Sequence, residues 1–466
     1  MQTCLAIDQG THASRALLFD RHGNTLASAT QEIDITRFSD GRVEQDADQL
    51  LASVEAVVER VTAGPHAPPS ACGIATQRST VLAIDADGRP LGPALGWQDV
   101  RGAAQVEALR DRERDIRRLT GLPLSPHYGA SKLRWLLDRY TAGGEPPRLA
   151  PLASFLVLRL LRNHPWRVDH GNAQRTQLMD LHRLDWSPRL ADWFGVPLGR
   201  LPRCAPVLDD WGSLAGTDTP VTAVCGDQNA ALYSNGAAAT DTVLVNLGSG
   251  AFLLRSLGTM PRPSRCQLTG VACSDARQAE YLREATVNGA GSALDWAART
   301  WHIDELPAQL PAWLEQVGQP PVFVNTVGGL AAPWWRTDLE CHFLDDGERA
   351  PLEARAVAVV ESIAFLVQAN LALMAQEAPL ARLRVGGGLS RLDGLCQRLA
   401  NLSGLTVERL DDPEATARGV AWLAAGRPTG WAGEPPPDAV FEPHPDPGLE
   451  MRYQRLYDYL QEMPPP

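Results

Sequence analysis

The strongest constraint on the fold is a repeat. The chain opens with an apolar run, CLAIDQG, a polar turn and a second apolar run, SRALLFD. About 240 residues later TVLVNLGSGAFLLRS shows the same order of strand, glycine-containing turn and strand. Glycine suits both turns because it reaches backbone conformations that other residues avoid. Further elements follow each hairpin. TLASAT reads as a third strand completing an antiparallel meander, ADQLLASVEAVVERV as a helix and ACGIAT as a strand. In the second half, helices are predicted at about 288–300 and 351–376, with RLRVGGG and LTVERL as strands. Two such halves make an α/β protein of two domains, 1–236 and 237–466, joined in SNGAAATD, where small and polar residues collect.

Other expectations are local. A second hairpin, TVLAIDADGRPLGPALGWQD, should turn at Asp87-Gly88, and helices should fall at about 103–119, 130–140, 151–163 and 189–195. The strand TAVCGDQ leads into a helix-like NAALYSNGA; later, 391–402 and ATARGVAWLAAG read as helices. The stretch GEPPPDAVFEPHPDPG is expected to be an extended connector to a peripheral amphipathic helix, LEMRYQRLYDYLQ.

Composition excludes several chemistries. Of 43 basic residues in 466, Lys132 is the only lysine, and 55 acidic residues set the net charge at −12. A G-x-x-x-x-G-K-S/T phosphate loop needs a lysine in a glycine-rich frame, which GASKLRW lacks. Schiff-base chemistry has only this one lysine to use. For Lys132 itself a helix-surface position is expected. The acidic balance argues against a nucleic-acid partner, whose affinity comes from neutralised phosphates. No run approaches roughly 18 apolar residues, so no membrane span is expected, and the N-terminus lacks a signal-peptide pattern. Eight scattered cysteines without a C-x-x-C pair fit free thiols in a cytoplasmic protein better than disulfides or zinc. The ten histidines include no H-x-x-x-H pair, and no G-x-S-x-G elbow is present.

Four glycine- or carboxylate-bearing turns carry the chemistry. Asp8-Gln9-Gly10-Thr11, at a strand end, reads either as a phosphate cradle with a carboxylate for Mg²⁺ or as an ordinary β-turn. Gly248-Ser249-Gly250 stands at the matching place in the second half and could face it across a cleft. Cys225-Gly226-Asp227-Gln228 ends an apolar strand, so Asp227 reads either as a general base in the crevice or as a helix cap. Gly386-Gly387-Gly388 leaves room for a flat ligand or makes a tight turn; a dinucleotide fingerprint would need glycine where Arg391 stands.

Together the ordered segments LAIDQGTHASRALLFDRHG, GIATQRSTVLAID, GWQDVRG, GLPLSPHYGASKLRWLLD, CGDQNAALY, LGSGAFLL and RVGGGLSRLDG resemble the FGGY carbohydrate kinases, glycerol kinases among them, over nearly the whole chain. The resemblance implies two actin-like, ribonuclease-H-like domains with a central interdomain cleft. They would close on ATP, Mg²⁺ and a small polyol or sugar, and a homo-oligomer is compatible with it. It places Asp8 and Asp227 at the metal, and Thr11, His12, Arg15, Ser249, Gly291 and Gly388 at ATP. Arg78, Ser79, Trp97, His127, Asp227, Gln228 and Phe252 fall at the acceptor, with Asp227 as the catalytic base. Three departures bear on the ligands. Ser79 replaces the glutamate of Q-R-E-T, His127 stands where glycerol kinases have tyrosine, and Leu392 and Asp393 replace asparagines near the adenine. A buried polar mismatch costs on the order of 1–3 kcal/mol, enough to move acceptor preference from glycerol towards xylulose, ribulose or erythritol. The reading from another class is a nucleotide-binding regulatory protein without catalysis; retention of Asp8 and Asp227 speaks against it.

Overall fold

The computed structural model of the protein describes residues 3–141, 145–410, 414–431 and 437–463. Two mixed sheets share one plan. In the first, β1 (Cys4–Gln9), β2 (Ala13–Phe19) and β3 (Thr25–Glu32) form the expected antiparallel meander. On the other side of β1, β4 (Ala71–Thr76) runs parallel to it. Then β5 (Leu208–Ser213) and β6 (Pro220–Gly226) finish the sheet, β6 parallel to β4 and β5 antiparallel at the edge. The second sheet contains β7 (Thr242–Leu247), β8 (Ala251–Gly258), β9 (Leu268–Ser274), β10 (Ala279–Val287), β11 (Arg382–Gly386), β12 (Thr406–Arg409) and β13 (Ala439–Phe441), in the order β9–β10–β8–β7–β11–β12–β13. Outward from β1 and from β7 the pattern is similar: antiparallel strands on one side, two beyond β1 and three beyond β7, and two parallel strands with an antiparallel edge on the other. This is the duplicated α/β architecture that the two hairpins predict.

Parallel register aligns the strand ends. Gln9 pairs with Thr76, and Thr76 with Gly226, so β1, β4 and β6 finish level with one another. Asn246 likewise pairs with Gly386. In open α/β sheets ligands bind beyond the carboxyl ends of the strands. The sequence motifs sit on that edge because they immediately follow the apolar runs that fill the sheets.

Helices bury both faces of the first sheet. α1 (Ala47–Thr62) starts at Asp46, whose carboxylate accepts from the N–H groups of Asp48 and Gln49. After α2 (Gly129–Thr141) comes α3 (Leu152–Leu160); α1 and α3 pack Leu50, Val54, Val57 and Phe155 on one face of the sheet. The short α4 (His170–Gln174) meets β9, and α5 (Asp227–Ala231) follows β6 directly. On the second sheet, α6 (Gly291–Trp301), α7 (Leu352–Glu377) and α8 (Asp393–Ser403) cover the outer face. α7 is long and apolar enough to cross a membrane, yet it lies in this core. α9 (Ala415–Ala424) crosses back to the first sheet, where it contacts β1, β4, β6 and α5, and α10 (Pro447–Glu462) ends the described chain.

Several local expectations need correction. The helix expected over 103–119 is broken into Ala103–Glu107, a 3-10 turn at Arg110–Arg112 and Glu113–Thr120, where the run RDRERD from Arg110 to Asp115 has no apolar side chain to give the core. NAALYSNGA is helical only to Ala231; Tyr233 then stacks on Trp422 of α9, with ring centroids 6.0 Å apart. The 81–95 hairpin turns as expected at Gly88, but Val81–Ile84 pairs chiefly with Arg148–Pro151. α10 is not peripheral. Leu449, Tyr453, Leu456 and Leu460 are buried in the second core, and Arg452 pairs with buried Glu361 of α7. The proline-rich connector contains an edge strand, β13; its residues 433–436 lie outside the described residues.

Buried polar groups join the two halves. Arg78, after β4, makes a two-pronged ion pair with Glu284 of β10, with hydrogen bonds of 2.8 and 3.0 Å. Arg175, after α4, holds the same carboxylate. Asn229 of α5 donates to the Val271 carbonyl of β9, and the Gln174 amide bonds Thr269 and Val271. The buried Glu284 carboxyl pays for desolvation with two guanidinium partners, which hold its pKa down to about 2.

Two tests follow from this packing. A Cβ at Gly419 would stand 1.8 Å from the Ala230 carbonyl oxygen, so α9 reaches α5 only through a bare backbone. Gly419→Ala should cost about 2–3 kcal/mol by overpacking, read as a lowered urea midpoint. Since the folded state depresses the Glu284 pKa, its contribution is full above the ordinary carboxylate range near 4.5 and is lost as pH falls towards 2. Glu284→Gln should therefore destabilise the protein at neutral pH by about 3–5 kcal/mol, leaving Arg175 without its carboxylate and Arg78 with Asp227 only, and should flatten the acid side of the stability profile.

Candidate functional site

Two carboxylates lie at the aligned strand ends. Asp8 is the fifth residue of β1, and Asp227 is the first residue of α5. The cap position of α5 belongs to Gly226, so Asp227 is not the helix cap; its Oδ1 instead accepts the Gln228 N–H. Gly226 has to be bare, because a Cβ there would meet the Arg78 side chain at 2.6 Å. Arg78 thereby reaches both halves: its Nε lies 3.5 Å from Asp227 Oδ1 while its Nη atoms hold Glu284.

The local charge balance favours a cation. Burial pushes the Asp8 carboxyl up to about 7, with the Asp227 and Glu414 carboxylates adding to the rise and Arg15 opposing it. Arg15 Nη1 is 3.8 Å from Asp8 and 3.7 Å from Glu414. Burial also raises Asp227, against the pull of Arg78. Among the described residues no three His, Cys, Asp or Glu side chains converge as a metal cage. A sparse carboxylate set of this kind fits Mg²⁺, which keeps several waters and completes its shell with substrate phosphates.

An aromatic wall stands beside the carboxylates. The Trp97 indole donates to Thr11 Oγ1 at 3.1 Å, linking the Gly96-Trp97 segment to the first glycine turn. The Trp97 and His127 rings are 5.3 Å apart, and His127 meets Tyr128 edge-on at 5.0 Å. Burial, helped by Lys132, Arg175 and Arg78, holds the His127 pKa down to about 3, so its imidazole is neutral at physiological pH. Ser79 is buried and takes a left-handed backbone, φ 63°, a strained choice for a residue with a side chain. Phe252 pairs with Thr286, two positions from the Leu254–Glu284 pair, so it shares the face on which Glu284 meets Arg78. Gln228 follows Asp227 in α5.

Lys132 is the largest departure from expectation. It is fully buried rather than on a helix surface. Its Nζ donates to the carbonyl oxygens of Ser79, Gly96 and His127, each at 2.9 Å. Burial pushes this ammonium down to about 7.

Of the remaining expected residues, Ser249 and Gly291 meet directly. Ser249 is exposed at the tip of the β7–β8 turn, where the Gly248 N–H donates to the Gly250 carbonyl. The start of α6 folds over this turn: the Gly291 N–H bonds Gly248 O, while Ala290 and Ser292 bond Ser249 O. Gly291 is needed there, since a Cβ would lie 2.9 Å from Gly248 O. Gly388 opens onto free space, with nothing within 4 Å of a Cβ. His12 is exposed and faces Arg37 at 3.4 Å rather than Asp8. The Ser249 turn leads directly into β8, whose second residue is Phe252. Sequence reasoning missed Arg175, Glu284 and Asn229. A glutamate inside the otherwise strand-like AEYLREATV was the available signal for Glu284.

The N-terminal domain of the FGGY family of carbohydrate kinases matches residues 3–233, and its C-terminal domain matches residues 243–426. A glycerol kinase of Gloeobacter violaceus is 34% identical over 460 residues, covering 94% of this chain and 92% of that protein. One of Alkalilimnicola ehrlichii is 35% identical over 467 residues, covering 95% and 93%. Among solved structures, Plasmodium falciparum glycerol kinase with ADP superimposes with a TM-score of 0.89 at 23% identity, covering 99% of this chain and 98% of that one. A ligand-bound xylulose kinase from Lactobacillus acidophilus gives 0.87 at 21%, covering 99% and 97%. With both domains matched in order along the aligned strand ends, the chain belongs to the FGGY family of carbohydrate kinases and is a phosphotransferase acting on an alcohol group.

Proposed function

We propose that this kinase transfers the γ-phosphoryl group of ATP to a hydroxyl of a small polyol or sugar, with Asp227 as general base. The observation that supports this most is the largely buried Asp227 carboxylate beside Arg78, next to Asp8 at the strand ends. Asp227 accepts the proton of the attacking hydroxyl, and Arg78 fixes the carboxylate's direction. Thr11, Arg15 and the amides of the Ser249 turn bind nucleotide phosphates. When bound near Asp8, Mg²⁺ supplies neutralisation of charge on the phosphoryl oxygens. Trp97, His127 and Phe252 form a wall that excludes water from the acceptor, limiting wasteful hydrolysis.

The acceptor identity turns on two residues. The named relatives are glycerol kinases, but Ser79 offers a hydroxyl in place of a carboxylate and His127 is a neutral ring. A wall of neutral donors and acceptors suits a longer polyol or a ketose as well as glycerol. Eight free cysteines fit a reducing compartment, the cytoplasm.

A coupled ADP-release assay over glycerol, erythritol, xylulose and ribulose tests this reading. At least one acceptor should stimulate ADP release, and Asp227→Ala should lower kcat by about 10²–10⁴-fold with the KM for ATP little changed. Near-normal turnover by the variant would remove Asp227 from the chemistry. Because burial raises the Asp227 pKa, wild-type kcat/KM should begin to fall on acidification above the ordinary carboxylate range.

A further inference from the structure

One feature of the composition finds its place only in three dimensions. The chain uses arginine at every basic position but one, and that one lysine is fully buried among loops of the acceptor pocket. We infer that Lys132 is a positioning residue for the acceptor pocket, its ammonium tying the backbones of Ser79, Gly96 and His127 to one point and so setting the spacing of Arg78, Trp97 and His127. The inference rests on the acceptor assignment proposed above.

The geometry is specific to lysine. Three carbonyl oxygens from segments at positions 79, 96 and 127 converge on Nζ at 2.9 Å each, using all three of its N–H donors. A planar guanidinium spreads its donors over a fork and cannot point three of them outward from a single atom. Arg101, close by, shows the contrast: its fork takes the carboxylates of Asp99 and Glu44. Lys132 makes no ion pair within 4.0 Å among the described residues, so its charge is compensated by carbonyl dipoles, with the Asp99 carboxylate acting from beyond that distance. Burying an ammonium in this way is a poor route to stability compared with an apolar side chain of the same length. What it provides is a fixed junction.

Each tethered carbonyl belongs to a segment that carries a pocket group. Ser79 follows Arg78 and holds its left-handed backbone where Lys132 takes its carbonyl. Gly96 precedes Trp97, whose indole reaches Thr11. His127 is tethered through its own carbonyl while its ring faces Trp97. Val81 pairs with Leu95, and the Arg175 carbonyl accepts from both Ser79 Oγ and the Gly129 N–H, so the three segments are already neighbours. Lys132 is where all three backbones meet at one atom. Without it their fine spacing would relax, so the acceptor would lose its fit before the nucleotide did.

The experiment compares full-length wild type with Lys132→Met on the acceptor that the wild type turns over best. The acceptor KM should rise by about tenfold or more, the ATP KM should stay within about twofold, and ADP binding measured by calorimetry should match the wild type. An unchanged acceptor KM in a folded variant, or equal rises in both KM values, overturns the assignment. Should Lys132→Met fail to fold, wild-type protein grown on ¹³Cε-lysine gives the answer, because a single lysine gives a single side-chain signal. Saturating acceptor should shift that signal while ATP alone leaves it in place; a signal that acceptor does not move overturns the assignment. A wild type that turns over no acceptor overturns the kinase reading itself, and is detected before any variant is compared.

Discussion

Arg78 is held between two carboxylates that come from opposite halves of the chain, and the rest of the site depends on that arrangement. Its Nη atoms pair with Glu284 on the second sheet while its Nε faces Asp227 at the end of the first. A buried guanidinium costs too much to leave unpaired, so the two sheets are fixed relative to each other wherever this chain of charges is intact. Arg175 completes the compensation of Glu284. Asp227 is therefore placed through Arg78 by a carboxylate from the other half of the chain, and its pKa is coupled to the junction between them.

Around this junction the fold supplies a simple frame. Parallel register brings β1, β4 and β6 to a common finish, which sets Asp8, Arg78 and Asp227 on one edge. The second sheet repeats the plan and sets the Ser249 and Gly388 turns on its own edge. Bare backbones at Gly226, Gly291 and Gly419 let neighbouring segments approach more closely than any side chain would permit. The conformational freedom lost at these positions is offset by the packing they allow.

Much of this was legible in the sequence, where information is local. The hairpins, the apolar strands and the carboxylates that end them carry their own periodicity and turn chemistry, so the duplicated fold and the placing of Asp8 and Asp227 could be read directly. Residues whose role depends on long-range partners could not. Lys132 has the context of an amphipathic helix, and only the convergence of three distant loops explains its burial. Glu284 sits in an ordinary strand pattern, and its partners lie more than a hundred residues away. α10 has the polar face of a surface helix, but Arg452 reaches the buried Glu361 and draws it into the core.

The most direct measurement of the account is the acid limb of kcat/KM in wild type and in Glu284→Gln, taken at a temperature where both are folded. Glu284 raises the Asp227 pKa and shares Arg78 with it. Neutralising it should leave Arg78 to Asp227 alone, lower the carboxyl pKa and move the acid limb to lower pH. An acid limb that stays in place in the folded variant would contradict the proposal that Asp227 is a base set by the junction between the two halves.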